Sequence, residues 1–156
     1  MKTRPAISAD TFTLSSLSRD VQRLHAAHHP EIFKMPEQDD FAAAFFEEML
    51  ADPACHIFIA EEEGMAAGYI LCKLIERPET PFTFVARTLL IDQISVRPEA
   101  QGKGIGKALM EQAELLGREL NVARIHLDSW EFNIPAHGFF ESQGYRKSIF
   151  RFWKQL

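Results

Sequence analysis

At 156 residues, with a net charge of −5 and with 46% hydrophobic and 25% charged residues, the chain has the size and balance of one soluble globular domain, 1–156, that buries a real core. No apolar run approaches the roughly 18 residues of a membrane span, and an acidic chain of pI near 5.7 lacks the clustered basic face of a duplex nucleic-acid binder. Cys55 and Cys72 have no CxxC spacing, so two free thiols in a reducing, cytoplasmic setting are expected, and MKTRPAISAD carries charge without the apolar stretch of a secretion signal.

Leu14, Leu17, Val21 and Leu24 recur at helical spacing behind Ser8 and Asp10, which predicts a helix over 10–28 ended by Pro30. The loop HPEIFKMPEQDD leads to a second predicted helix over 39–51, with Phe41, Phe45 and Met49 one turn apart and Asp39 and Asp40 at its start. From His56 the period changes to that of strands. HIFIAEE and AAGYILCKLI flank a Glu63–Gly64 hairpin signal, and ARTLLIDQISV follows a proline-bearing turn region. Ile105, Leu109, Ala113, Leu116 and Leu120 then form a helical stripe, with Asn121 placed to close it. ARIHLDSW reads as a strand, IPAHGFFESQ as a short helix and YRKSIFRFW as a last strand. The order is that of an α/β or α+β domain with a mixed sheet.

Between the third strand and the third helix stands RPEAQGKGIGKAL, with glycines at 102, 104 and 106 between Lys103 and Lys107. It is not a Walker A loop, because Ala108 follows Gly106–Lys107 and Gln101 occupies the first glycine position; nor does it fit G-x-G-x-x-G. Strand, glycine turn and helix start remain. In that geometry backbone amides converge on an anion, the helix dipole reinforces them and a pyrophosphate approaches without a Cβ in its way. An ordinary glycine turn is the alternative, disfavoured because each glycine near a helix start costs up to ~1 kcal/mol against alanine.

The string QGKGIG fits the Q/R-x-x-G-x-G/A signature, and ISVRPEAQGKGIGKALM resembles the strand–loop–helix unit of the GNAT superfamily of acyl-CoA-dependent N-acyltransferases. LDSWEFNIPAHGFFESQGYRK resembles the later block of that family. The resemblance implies a single domain with a mixed, mostly antiparallel central sheet flanked by helices on both faces, and acetyl-CoA as cofactor. It implies that Gln101, Gly102, Lys103, Gly104, Ile105, Gly106 and Lys107 receive the CoA pyrophosphate. Ile94, Ser95 and Val96 would pair through their main chain with the pantetheine amides, and Asn133 would reach the cofactor from the far side or cap a helix.

By the same resemblance Asp92 is the candidate base for the acceptor amine; its other reading is a carboxylate facing solvent or held at a strand irregularity. Gln93, expected on the opposite face, and Asp128 are second choices. Phe140 lies along the cofactor where many members have a tyrosine that protonates the departing thiolate, so water, Ser142 or Tyr145 would replace that donor, although Tyr145 aligns with the family's buried aromatic after glycine and reads as core rather than catalytic. His25, His28 and His29 read as dipole-matched groups at a helix end or as walls of an acceptor cleft. Phe33 falls where such a cleft is shaped, and no metal site is expected. The implied activity is N-acetylation of a primary amine on a small molecule or peptide. The alternatives are a non-catalytic acyl-CoA-binding sensor or interaction module, and a turn binding some other anion. Dimerisation is common in similar proteins, and nothing in the sequence locates an interface.

Overall fold

The computed structural model describes all of residues 1–156. A five-stranded sheet in the order β1-β2-β3-β4-β5 is built from β1 (Lys2–Pro5), β2 (Cys55–Glu62), β3 (Met65–Arg77), β4 (Ala86–Val96) and β5 (Arg124–Leu127). Its first four strands are antiparallel and β5 runs parallel to β4. Helices α1 (Thr11–His28) and α2 (Ala43–Ala51) cover one face, and α3 (Ile105–Glu119) covers the other, with α4 (Ile134–Ser142) beside it. The mixed, mostly antiparallel sheet with helices on both faces is the expected architecture.

Burial on both faces explains why β3 reads as one apolar run rather than an alternation. Tyr69 and Leu71 join Leu14, Leu17, Phe46, Ile57 and Ile59 beneath α1 and α2. Ile70 and Cys72 join Leu89, Ile91, Ile105, Leu109, Met110 and Ala113 beneath α3. The Glu63–Gly64 turn has positive φ at both residues, 51° and 79°, the pairing whose twist matches a two-residue hairpin. Asn121, at φ 53°, closes α3 in the left-handed region as its side chain allows.

Four details depart from the sequence reading. The strand β1 is added by Lys2–Pro5, a segment too short to show a period, which pairs with Phe58–Glu61. Helix α2 begins at Ala43 rather than 39: Asp39 is drawn to Arg19 and the Ala42 amide donates to Ser15 Oγ at 3.0 Å, so the preceding residues stay in turns. The strand expected over 123–130 stops at Leu127, where its pairing with β4 ends. YRKSIFRFW, expected as a final strand, pairs with no strand of its own chain.

The N-terminus is fastened by Arg4, which donates to both oxygens of Asp10 (2.7 and 2.9 Å) and to Glu61 (2.6 Å), while Asp10 also accepts the Ile7 amide at 2.8 Å. Arg4, foremost, holds the Asp10 carboxyl below its ordinary range. This depressed value contributes stability above the ordinary carboxylate pKa, and the contribution is lost as pH falls through the depressed one. Asp10→Ala is expected to cost about 1–3 kcal/mol at neutral pH, with the gap to the parent protein closing in acid, as read by urea denaturation at both conditions.

Candidate functional site

The register of β3 with β4 runs from Gly68↔Val96 to Leu71↔Gln93 and resumes at Cys72↔Ile91, leaving Asp92 as an extra residue on β4. Such a bulge bends its strand and strengthens the local twist. The β4–β5 pairing extends from Thr88↔Arg124 only to Ile91↔Leu127, so the two strands part where the bulge begins. The Arg97 amide donates to Ala67 at 2.8 Å. By the alternation of an antiparallel ladder, Ser95 and Gln93 then turn their main chain to β3, and Ile94 and Val96 turn theirs to the open side. Gln101 Nε2 meets the Val96 carbonyl there at 3.2 Å. Ser95 has a separate job from its neighbours: it pairs with Tyr69, and its buried hydroxyl donates to Leu17 O on α1 at 2.8 Å.

Beyond Val96 the chain passes through a short turn into the glycine loop. Gly102 and Gly104 have φ of 77° and 83°, left-handed values that cost an L-residue roughly 1–2 kcal/mol. A Cβ at either would meet nothing within 4 Å. The constraint at both is therefore backbone conformation, and the space above them is open. The amides of residues 102–107 donate to no backbone carbonyl, and no side chain caps α3. Together with the positive end of α3 they form a concave set of free donors suited to an anion. Lys103 is held by Glu62 at 3.0 Å and Lys107 lies 3.8 Å from Glu111, both exposed, so either amine reaches an anion by exchanging one carboxylate for it. Ile105 is buried in the core and anchors the loop.

Gly106 is constrained by a neighbour: a Cβ there would stand 3.1 Å from the ring of Phe139 on α4. Phe139 and Phe140 pack on the α3-side core, rings 5.4 Å apart. Asn133 occupies the N-cap position of α4, yet its side chain makes no cap bond. Ser142 Oγ is spent on Phe139 O at 2.6 Å. The Tyr145 hydroxyl is buried without a partner, and burial pushes its pKa up to about 12.

Asp92 pairs with Lys73 at 3.1 Å, and Gln93 accepts from the Tyr69 hydroxyl at 2.6 Å. Lys73 and Tyr69 lie four residues apart on β3 and thus share one face. Asp92 and Gln93 both reach the α1/α2 face; the expectation of opposite faces fails because the bulge breaks the alternation between them. His56 and His126 stand apart from this group, His126 bonded to Thr88 at 3.2 Å, and no cluster of His, Cys, Asp or Glu is placed to hold a metal.

The histidines at the end of α1 form a joint between α1 and the segment after β5. His25 stacks on Phe33 at 4.9 Å and His28 on Phe132 at 4.0 Å, while His29 contacts Trp130 at 4.7 Å. His29 is nearly buried and bridges Glu31 (3.0 Å) and Glu131 (3.2 Å), so it is no surface group. What the sequence lacked was any local sign that the Trp130–Phe132 segment, about a hundred residues on, would cover it. Glu31 first, then Glu131, raise the His29 pKa, whereas burial lowers that of His25. A raised histidine stabilises its contact below the ordinary imidazole range and loses that contribution as pH climbs through the raised value. In an NMR titration His29 is expected to titrate above the ordinary range and His25 below it, with Glu131→Gln moving His29 down.

Residues 19–145 match the model of the acetyltransferase (GNAT) family. A Bacillus subtilis (strain 168) protein, carrying the name of a ribosomal protein bS18-alanine N-acetyltransferase, is 29% identical over 101 residues, 65% of this chain and 60% of that protein. Human N-acetyltransferase 8B is 28% identical over 102 residues, 64% of this chain and 43% of its own length. Thus the chain aligns with about 60% or less of these relatives. A crystal structure of a tetramutant of the BH1408 protein from Bacillus halodurans superposes with a TM-score of 0.94 over all of both chains at 24% identity. The aminoglycoside N-acetyltransferase AAC(6′)-Iy in complex with CoA does so with a TM-score of 0.78, over 99% of this chain and 93% of the other at 16% identity. Those likenesses show the fold, and the match over residues 19–145 shows that this chain belongs to the GNAT acetyltransferase family.

Proposed function

We propose that this chain is an acetyl-CoA-dependent N-acetyltransferase that acetylates a primary amine on a small molecule or peptide, with residues 1–156 working as one domain. The observation that carries the reading is the continuity of two sets of main-chain groups that no strand or helix uses: those of Ile94 and Val96 where β4 leaves β5, the Val96 carbonyl held only by the Gln101 side chain, and the amides of 102–107 at the start of α3. One strip of backbone thereby offers strand pairing to an amide-bearing arm and ends in a cradle for a diphosphate. Acetyl-CoA, when bound, supplies the thioester carbonyl that the amine attacks.

In this reading Ile94 and Val96 align the pantetheine amides, Gln101 yields its bond to the Val96 carbonyl, and Gly102 to Lys107 hold the pyrophosphate. Lys103 and Lys107 add charge, and Asn133, with its side chain uncommitted, reaches in from α4. Asp92 faces the α1/α2 side at the point of divergence and takes the proton that an alkylammonium must lose before attack. Its partner Lys73 shares the carboxylate and sets which oxygen is free. Phe140 supplies apolar contact and no proton. With Ser142 committed to a carbonyl and the Tyr145 hydroxyl enclosed in the α3-side core, water protonates the departing thiolate. The His25–Phe33 and His28–Phe132 stacks bound the acceptor's approach. Free Cys55 and buried Cys72 suit a reducing compartment, and no helix is long and apolar enough to cross a membrane.

Thiol release from acetyl-CoA, measured over pools of polyamines, amino acids, aminoglycosides and peptides against an amine-free blank, is expected to rise with one pool. Asp92→Asn is expected to lower kcat about 100-fold or more while leaving CoA binding intact, the size of a lost general base. Tight acetyl-CoA binding with silence across all pools would favour the sensor reading, and unchanged kcat in Asp92→Asn across pH would remove Asp92 from the chemistry.

A further inference from the structure

Gln93 stands beside Asp92 on the face that α1 and α2 cover, and it takes no part in the base chemistry assigned to its neighbour. One end of its side chain is held. The Tyr69 hydroxyl donates to Gln93 Oε1 at 2.6 Å. Tyr69 is itself fully buried, packed with Leu14, Leu17 and Leu71 and set edge-on to Phe46 with ring centroids 5.5 Å apart. A tyrosine so enclosed keeps its hydroxyl at one point, which fixes the amide that receives it.

The other end of that amide is uncommitted. Gln93 Nε2 carries two N–H donors and no acceptor, and it makes no hydrogen bond within the chain. The side-chain polar atoms that are both buried and without a partner are Arg19 Nε and the Tyr145 hydroxyl, so Nε2 is not sealed in. Gln93 is half-buried and Asp92 exposed. An oriented donor beside a carboxylate offers an acceptor molecule two fixed points of attachment.

Chemistry decides what the second point meets. The bulge sets residues 92 and 93 on one face as consecutive positions, so an amine held at Asp92 brings only the group next to its own carbon within reach of Gln93. That group must accept a hydrogen bond. A carbonyl oxygen does so and brings no donor. A hydroxyl brings a proton that the site leaves unanswered, because Oε1 is taken by Tyr69 and Asp92 is shared between Lys73 and the amine. A plain alkylamine offers Nε2 nothing.

We propose, with Asp92 as the base of the acetyltransferase reading, that Gln93 determines specificity and that the acceptor is an α-amino carbonyl compound, an amino-acid amide or a peptide N-terminus. Its carbonyl oxygen accepts from Gln93 Nε2, and Tyr69 is the positioning residue that aims this donor.

Thiol release is measured with alaninamide and with its hydrocarbon counterpart sec-butylamine, in the parent protein and in Gln93→Met, whose side chain keeps the length and loses the donors. The ratio of kcat/KM, alaninamide over sec-butylamine, is expected to fall roughly 3–10-fold in the variant, the worth of one neutral hydrogen bond. The amines' differing basicities cancel, since each amine is compared with itself. Gln93→Glu, which offers oxygen in place of the donor, is expected to lose the preference too, and Tyr69→Phe to weaken it. With CoA bound and no acetyl group present, the Gln93 Nε2 proton signals are expected to shift on adding alaninamide and to stay on adding sec-butylamine. An unchanged ratio in Gln93→Met, or its survival in Gln93→Glu, overturns the assignment and leaves the transferase reading in place. A Tyr69→Phe protein with the full parental ratio overturns the role of Tyr69. Silence with every amine while CoA still binds contradicts the transferase reading itself, and the Nε2 signals then decide the binding role alone. Faster turnover of alanyl-alaninamide than of alaninamide assigns the carbonyl to a peptide N-terminus and the reverse assigns it to a small amide; either upholds the class.

Discussion

One extra residue on β4 governs the functional half of this molecule. Up to Ile91 the strand is held on both sides, by β3 and by β5; with Asp92 inserted, β3 stays paired with its register shifted by one residue and β5 departs. A hydrogen-bonded ladder cannot bend sharply without losing pairs. Here the loss falls on one side only, so Ile94 and Val96 keep the rigid support of a central strand while their outward main-chain groups are freed. The proposed cofactor seat thus combines a stiff backing with unsatisfied polarity, the condition under which a ligand amide gains most from pairing.

The same insertion divides labour between the faces of the sheet. The α3 side receives Ile94, Val96 and the Tyr145 hydroxyl, and continues through Gly104 into the free amides of the helix start. The α1/α2 side receives Asp92 and Gln93 together, beside Lys73 and Tyr69. In a regular strand the two residues would point apart. Placing them on one face brings a carboxylate and an ordered amide to the side that α1 and α2 cover. Ser95 locks this arrangement by fastening β4 to α1 through the Leu17 carbonyl.

The parts of this picture legible in the sequence were those carried by local chemistry. The glycines at 102, 104 and 106 announced a glycine turn before a helix, the stripe from Ile105 to Leu120 announced α3, and Glu63–Gly64 announced the hairpin. Features set by long-range pairing were not legible. Lys2–Pro5 is a strand only because Phe58–Glu61 offers an edge, and the bulge at Asp92 exists in the register of two strands rather than in either one. His29 became nearly buried through residues a hundred positions away. In YRKSIFRFW the strand propensity was read correctly as composition, but its own sheet provides no place for it, and the sequence carried no sign of that.

The central claim is that the opening between β4 and β5, together with the α3 start, holds the cofactor through main-chain groups. Backbone amide NMR during a CoA titration tests it most directly. The account predicts the largest shift changes at Gly102 to Lys107 and at Ile94 and Val96, with Ser95, turned toward β3, moving far less. Shift changes confined to other surfaces, or equal movement of 94, 95 and 96 with a silent glycine loop, would contradict it.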